Sequence, residues 1–319
     1  MALTPHSQLI LSVYIVTFVM GLPANILAFY TFSVKVRSKP TPIDVFLLNL
    51  TVSDLIFLLF LPFRMVEVCQ DMLWVLPYFL CPLSGFIFYS TIYISIFFLM
   101  GISVERYLGV AYPIKYKINH KPMYAIMASV FFWVISTAHC SIIYIVQYQK
   151  PGNGTQNVSI CYEYFTKEQL NILLPVRFEM FVVLFCIPFL ITSFCYISFI
   201  RILTTLPNIS RRRKQRAIGL ALGTLLVFIL CFCPYNLSHV VGFVKWQSPT
   251  WRVDALLLST FNACLDPIIF YFSSAEVQNS VRNCISGILG RIRATDLCKI
   301  LYPAVYTVNG QMESSSNNL

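Results

Sequence analysis

Charge is scarce in this sequence. Only 11% of its 319 residues are charged, where soluble domains carry roughly 25%. Acids are the scarcest, with 13 Asp and Glu against 23 Lys and Arg. With 57% hydrophobic residues there is too little polar surface to cover the apolar remainder, which excludes a soluble globular domain and calls for lipid. The net charge of +10 does not point to nucleic acid, because the basic residues fall in short loops between apolar runs. Catalytic patterns are missing too. No His-Glu-x-x-His and no Gly-x-Ser-x-Gly occurs, so neither a zinc peptidase nor an elbow-type serine hydrolase is indicated. Gly-x-Gly-Asp is also absent, which removes the intramembrane aspartyl proteases. No enzyme is expected. Internal repeats and a second domain are lacking, which argues against a small-anion transporter, since those tend to show paired repeats. No basic segment precedes the first apolar run, so that run is expected to be a span rather than a cleaved leader.

Present instead are seven apolar runs long enough to cross a bilayer, at roughly 9–32, 43–67, 77–108, 123–147, 173–203, 216–243 and 251–272. The third is the most informative. It begins at Cys81 and ends in Glu105-Arg106-Tyr107, so its ends lie roughly 38 Å apart, more than the hydrocarbon core is thick. Basic residues sort by side. Lys35, Lys115, Lys121, Arg201, Arg211–Arg216, Arg282 and their neighbours place seventeen of the 23 on one side. The positive-inside rule then puts the N-terminus outside and the C-terminus in the cytosol. The expected fold is an all-α membrane protein: residues 1–8 outside, a seven-helix bundle over 9–272, an amphipathic eighth helix over 273–291 on the inner membrane surface, and a cytosolic tail over 292–319. Val277, Val281, Ile285 and Ile288 give that eighth helix its apolar stripe.

On this topology Asn153-Gly-Thr and Asn157-Val-Ser are candidate glycosylation sites, while the similar triplets at Asn49, Asn208 and Asn236 lie within spans or inside. Cys284 and Cys298 are candidate palmitoylation sites, and Ser314–Ser316 candidate phosphosites. Eleven cysteines do not make a disulfide framework. Most sit inside apolar runs as packing residues; Cys81 and Cys161 sit at a span end and in a loop.

Polar residues within spans are expensive and therefore informative. Asp54 and Asp266 lie in the second and seventh runs, where plain structural hydrogen bonding is one reading. Four ionisable residues, His139, Arg177, His239 and Arg252, fall near the outer ends of runs four to seven. Singly, an arginine there snorkels to headgroups and a histidine makes a helix–helix hydrogen bond. Together they suggest a pocket. Two arginines facing one cavity repel unless something negative sits between them: Glu163, Glu179 or a ligand carboxylate, which guanidinium holds by paired hydrogen bonds. Tyr89 and Tyr235 can add hydroxyls. The run Arg211–Arg216 is read either as a pure topology signal or as an added contact for a cytosolic partner.

The set resembles the rhodopsin-like G-protein-coupled receptors. Asn25, Leu50, Ser53, Asp54, Glu105-Arg106-Tyr107, Trp133, Pro188, Pro234 and Pro267 fall in family order over residues 9–290. The resemblance implies a Cys81–Cys161 disulfide, an activation switch of Glu105, Arg106 and Tyr107 with Phe232, Pro234, Asp266 and Pro267, and a sodium pocket of Asp54, Ser95, Asn262 and Asp266. No other metal or cofactor is implied. Two departures stand out. Phe232 replaces the usual tryptophan. Phe270 replaces the usual tyrosine, with Tyr271 one residue late, about 100° around the helix.

Within that class the strings GLPAN, FLPFRMVE, ERYLGVAYP, LLPVR and CPYNLSHVVG are similar to the free fatty acid receptors, most closely the short-chain types 2 and 3, with a lean to type 2. The resemblance implies that Arg177, Arg252, His139 and His239 hold a carboxylate and that Tyr89, Tyr235 and Glu163 shape the pocket. It further implies acetate, propionate and butyrate as agonists, coupling to Gi/o and Gq, arrestin as a further partner, lipid as solvent, and a plasma-membrane location. A receptor of the same fold for another carboxylate is the alternative.

Overall fold

The computed structural model describes residues 3–119, 121–148, 161, 165–207, 209–273 and 276–287. Among the described residues seven helical spans are long and apolar enough to cross a membrane: Pro5–Ser38, Pro42–Cys69, Leu80–Ala111, Pro122–Tyr148, Lys167–Thr205, Arg211–Lys245 and Arg252–Tyr271. These are called spans one to seven. Spans one, five and six start several residues before the apolar cores that announce them, the others within about three, and polar caps carry helix starts into the headgroup region. Thr4 and Thr41 each accept the backbone N–H three residues on, and Pro5 and Pro42 supply a pre-set first turn. Thr166 and Gln169 bond reciprocally as a capping box at the start of span five. Trp246, left-handed at φ 50°, ends span six.

Span three is the axis. Nineteen of its residues are buried, among them an unbroken run from Phe88 to Leu99. Spans two and five flank it along much of its length. Gly101 permits one close approach, since a Cβ there would meet the Phe46 ring at 3.0 Å. That ring packs on Phe98 and Phe132. Trp133 Nε1 donates to Asn49 Oδ1 at 3.0 Å, joining spans four and two. Asn25 Nδ2 donates to the Ala263 carbonyl at 2.8 Å, joining spans one and seven.

Spans five and six each contain a π turn, Phe181–Cys186 and Phe228–Phe232. Each ends two residues before a proline, Pro188 or Pro234. Proline has no N–H to give its i−4 carbonyl, so the ladder before it re-registers. The Ile187 and Cys233 amides reach back five residues, to Val182 and Phe228. Ser259 Oγ of span seven donates to the Cys231 carbonyl at 2.8 Å and ties seven to six at this turn.

A short helix, Pro113–Asn119, follows span three. Residues 276–287 form a separate unit, a single helix with Val277, Val281 and Ile285 at four-residue spacing. The remainder of the expected 273–291 helix, the tail with Cys298, and both glycosylation asparagines lie outside the described residues.

Candidate functional site

Cys81 at the start of span three bonds to Cys161 with Cα atoms 5.7 Å apart, which is the pairing the resemblance implied. This marks one end of the bundle, the disulfide end; Arg106 marks the other. Two helical turns inward from Cys81, Tyr89 stacks on Tyr235 of span six, centroids 5.9 Å apart and planes 12° apart. The Arg252 guanidinium of span seven lies over both rings, 5.3 Å from Tyr89 and 5.6 Å from Tyr235. Tyr235 also meets His239 edge to face at 4.7 Å. Arg177 of span five, likewise buried, lies over Phe165 at 5.0 Å.

His239 is 2% exposed. Its Nε2 pairs with the Tyr93 hydroxyl at 3.0 Å, and that hydroxyl lies 3.4 Å from Asn236 Oδ1. Its Nδ1 is buried with no hydrogen-bond partner among the described residues. Such a group costs about 1–3 kcal/mol unless something pairs with it. Tyr93 was not singled out in the sequence. It sits one turn inward of Tyr89, and helix i,i+4 spacing puts both on one face.

His139 stands apart from this cluster. Its Nε2 contacts Glu179 Oε1 of span five at 3.0 Å and its Nδ1 contacts the Ile135 carbonyl at 2.8 Å. Glu179 is thus engaged by His139. Glu163, the other acid considered for the arginines, lies outside the described residues. A second ion pair was also missed: Arg64 and Glu67 of span two, 2.7 Å apart, with Arg64 Nη1 3.8 Å from Cys161 Sγ. Both flank a cavity of about 50 Å³ lined by Tyr14, Tyr89 and Arg252. A wider one of about 280 Å³ lies between Phe165, Pro249 and Arg252.

Below the tyrosines, Phe232 is fully buried and meets Phe228 edge to face at 5.6 Å. Beneath it is a cavity of about 20 Å³ lined by Asp54, Ser95, Ser259 and Asn262, room for about one water or small ion. Asn262 Nδ2 donates to Asp266 Oδ2 at 2.8 Å. Oxygens of Asp54, Asn262 and Asp266 are buried with no hydrogen-bond partner among the described residues. The oxygens of Asp54 and Asn262 are on the wall of this one-ion space, and hard oxygen donors there fit a small cation; Asp266 stands behind Asn262 and does not line it. Phe270 is fully buried against Phe32, whereas Tyr271 is 37% exposed. The one-residue offset read from the sequence therefore turns the tyrosine outward.

At the other end Arg106 Nη1 donates to the Tyr196 hydroxyl of span five at 3.2 Å. Tyr116, on the short helix, donates to Glu105 Oε2 at 3.0 Å. Burial first, and the Glu105 charge second, raise the Tyr116 phenol above its ordinary range, so it stays a donor. Tyr107 packs on Phe194.

A family model described as "7 transmembrane receptor (rhodopsin family)" matches residues 24–270. The chain is 49% identical to free fatty acid receptor 3 of Mus musculus over 288 residues, 90% of this chain and 88% of that one. It is 50% identical to free fatty acid receptor 2 of Mus musculus over 296 residues, 90% of each. Against free fatty acid receptor 1 of Macaca fascicularis identity is 31% over 277 residues, 82% of this chain and 90% of that one.

Proposed function

The chain belongs to the rhodopsin family of seven-transmembrane receptors, in its free fatty acid receptor branch, and on that premise we propose that it senses short-chain carboxylates and signals through heterotrimeric G proteins. As a member of that family it is a multi-pass receptor of the plasma membrane and not an enzyme. The disulfide end faces outward, the N-terminus is extracellular, and the C-terminus is cytosolic. This orientation rests on the concentration of Lys and Arg at the Arg106 end.

One observation carries the ligand reading. A buried histidine with an unpartnered Nδ1 lies in the same span-five-to-seven cluster as two buried guanidiniums, with a stacked tyrosine pair beneath Arg252. Two positive charges in a water-poor cleft favour an anion between them. The ligand carboxylate accepts from Arg177 and Arg252, and His239 donates from Nδ1 while Nε2 accepts from Tyr93. His139 acts at the edge, through Glu179 and span five. Glu163 belongs to this pocket by resemblance alone.

Affinity arithmetic suits a short chain. Acetate has four heavy atoms, and at a ceiling of about −1.5 kcal/mol per atom it gains at most about −6 kcal/mol, a dissociation constant of tens of micromolar. A sensor built this way suits a metabolite at high micromolar to millimolar levels. Coupling to Gi/o and Gq, and arrestin recruitment, are carried over from the family. The leftover oxygens of Asp54 and Asn262, with Ser95 in the same lining, support an allosteric sodium ion, with Asp266 holding the Asn262 amide.

The test uses Arg177→Ala and Arg252→Ala with surface expression measured alongside. Each substitution should abolish propionate-stimulated G-protein activation while the receptor still reaches the surface. Unchanged potency in both would sink the carboxylate pocket.

A further inference from the structure

We propose that a cleft at the Arg106 end, between the starts of spans two and four, the end of span three and the short helix Pro113–Asn119, binds the headgroup of an anionic phospholipid. This rests on the receptor reading, which places that end at the inner leaflet. The cavity there is about 390 Å³, within the range of small-molecule sites. Two lysines line it, Lys115 of the short helix and Lys121 before span four, and both are exposed. Tyr112 and Tyr124 line it too, at 51% and 68% exposure. They are amphipathic rings of the kind that anchor at headgroup level.

The surroundings identify the occupant. From Tyr124 onward span four shows Met127 and Val130 to the outside, with Met123 beside it, each more than half exposed. That is a lipid-facing strip leading away from the lysines, suited to acyl chains. A phosphate at the lysines with its chains along this strip satisfies both chemistries at once. Basic clefts between helices on the cytosolic side are where anionic headgroups collect, at about one lysine's worth of attraction per charge. Glu105 forms part of the lining, with Tyr116 donating to its carboxylate at 3.0 Å. Held at Lys115, the lipid fixes the short helix, and with it the Tyr116–Glu105 bond beside Arg106. The site is therefore a point where membrane composition acts on the switch.

The test uses the full-length purified chain in nanodiscs of phosphatidylcholine with phosphatidylserine as the probe. Lipid retained after transfer to detergent is identified by native mass spectrometry. The wild type should retain phosphatidylserine in preference to phosphatidylcholine. Lys115→Gln with Lys121→Gln should weaken that retention about thirtyfold, about fivefold for each charge. Lys115→Arg with Lys121→Arg should restore it, and Lys39→Gln, elsewhere at the same end, should leave it intact. Equal retention by the wild type and the double glutamine variant would overturn the site. Excess inorganic phosphate should leave the lipid in place; displacement would assign the site to a free anion and overturn the lipid. Propionate-stimulated nucleotide exchange, read in the same discs, separates this from the ligand pocket. Lost exchange with lipid preference intact counts against the pocket alone, and intact exchange with lost lipid preference counts against the lipid site alone.

Discussion

Asp54 can be replaced by asparagine without changing its size. Its carboxylate lies over a one-ion cavity and carries an oxygen with no hydrogen-bond partner among the described residues. If a sodium ion sits there, it is bound by the state that packs tightly around the cavity and lowers agonist affinity by linkage. In wild-type membranes, replacing sodium by choline should increase propionate potency about fivefold or more, the lower bound of typical couplings. Asp54→Asn should remove the sodium dependence. A variant that stays as sodium-sensitive as wild type would place the ion elsewhere. At this scale the sequence was most informative where a residue is costly. Asp54, Asp266, Arg177 and Arg252 each had to be explained because burying charge in a membrane is expensive. Tyr93 carries no such cost and was passed over, although it supplies the described partner of His239 Nε2. Arg64 and Glu67 stand at i,i+3 spacing, but nothing in the linear pattern shows them buried beside Cys161.

Elements follow local rules that the sequence partly exposes. Thr4-Pro5, Thr41-Pro42 and Thr166 with Gln169 are cap signals, and those at Thr4 and Thr166 explain why spans one and five start ahead of their apolar cores. The π turns were not legible. A one-residue excess per turn leaves the apolar pattern almost unchanged, and only the neighbouring prolines hint at it. The short helix Pro113–Asn119 was not legible either, because seven residues are too few to show a period. Close packing is equally hard to read. Gly101 looks like any membrane glycine until the Phe46 ring is placed 3.0 Å from its missing Cβ. Gly101→Val should force that ring away from Phe98 and Phe132 and destabilise the bundle by about 1–3 kcal/mol. Thermal unfolding of the detergent-solubilised receptor should show a lowered midpoint, and Gly219→Val, with open space around its Cβ, should not. Equal loss in both would remove the packing argument.

For the whole molecule, the class was legible from two coarse signals, seven apolar runs and a lopsided distribution of Lys and Arg. The pocket was legible only in part, because ends of different spans converge through tilts and kinks that a linear pattern does not encode. Arg177, His239 and Arg252 do lie in one region of spans five to seven. His139 instead sits with Glu179. The most direct measurement is G-protein activation in cells expressing this chain, across linear carboxylates from acetate to palmitate, with propionamide as the uncharged control. Acetate, propionate and butyrate should activate at high micromolar to millimolar concentration, with no response to palmitate or propionamide. Potency that climbs with chain length through palmitate, or an equal response to propionamide, would contradict a short pocket closed around a carboxylate.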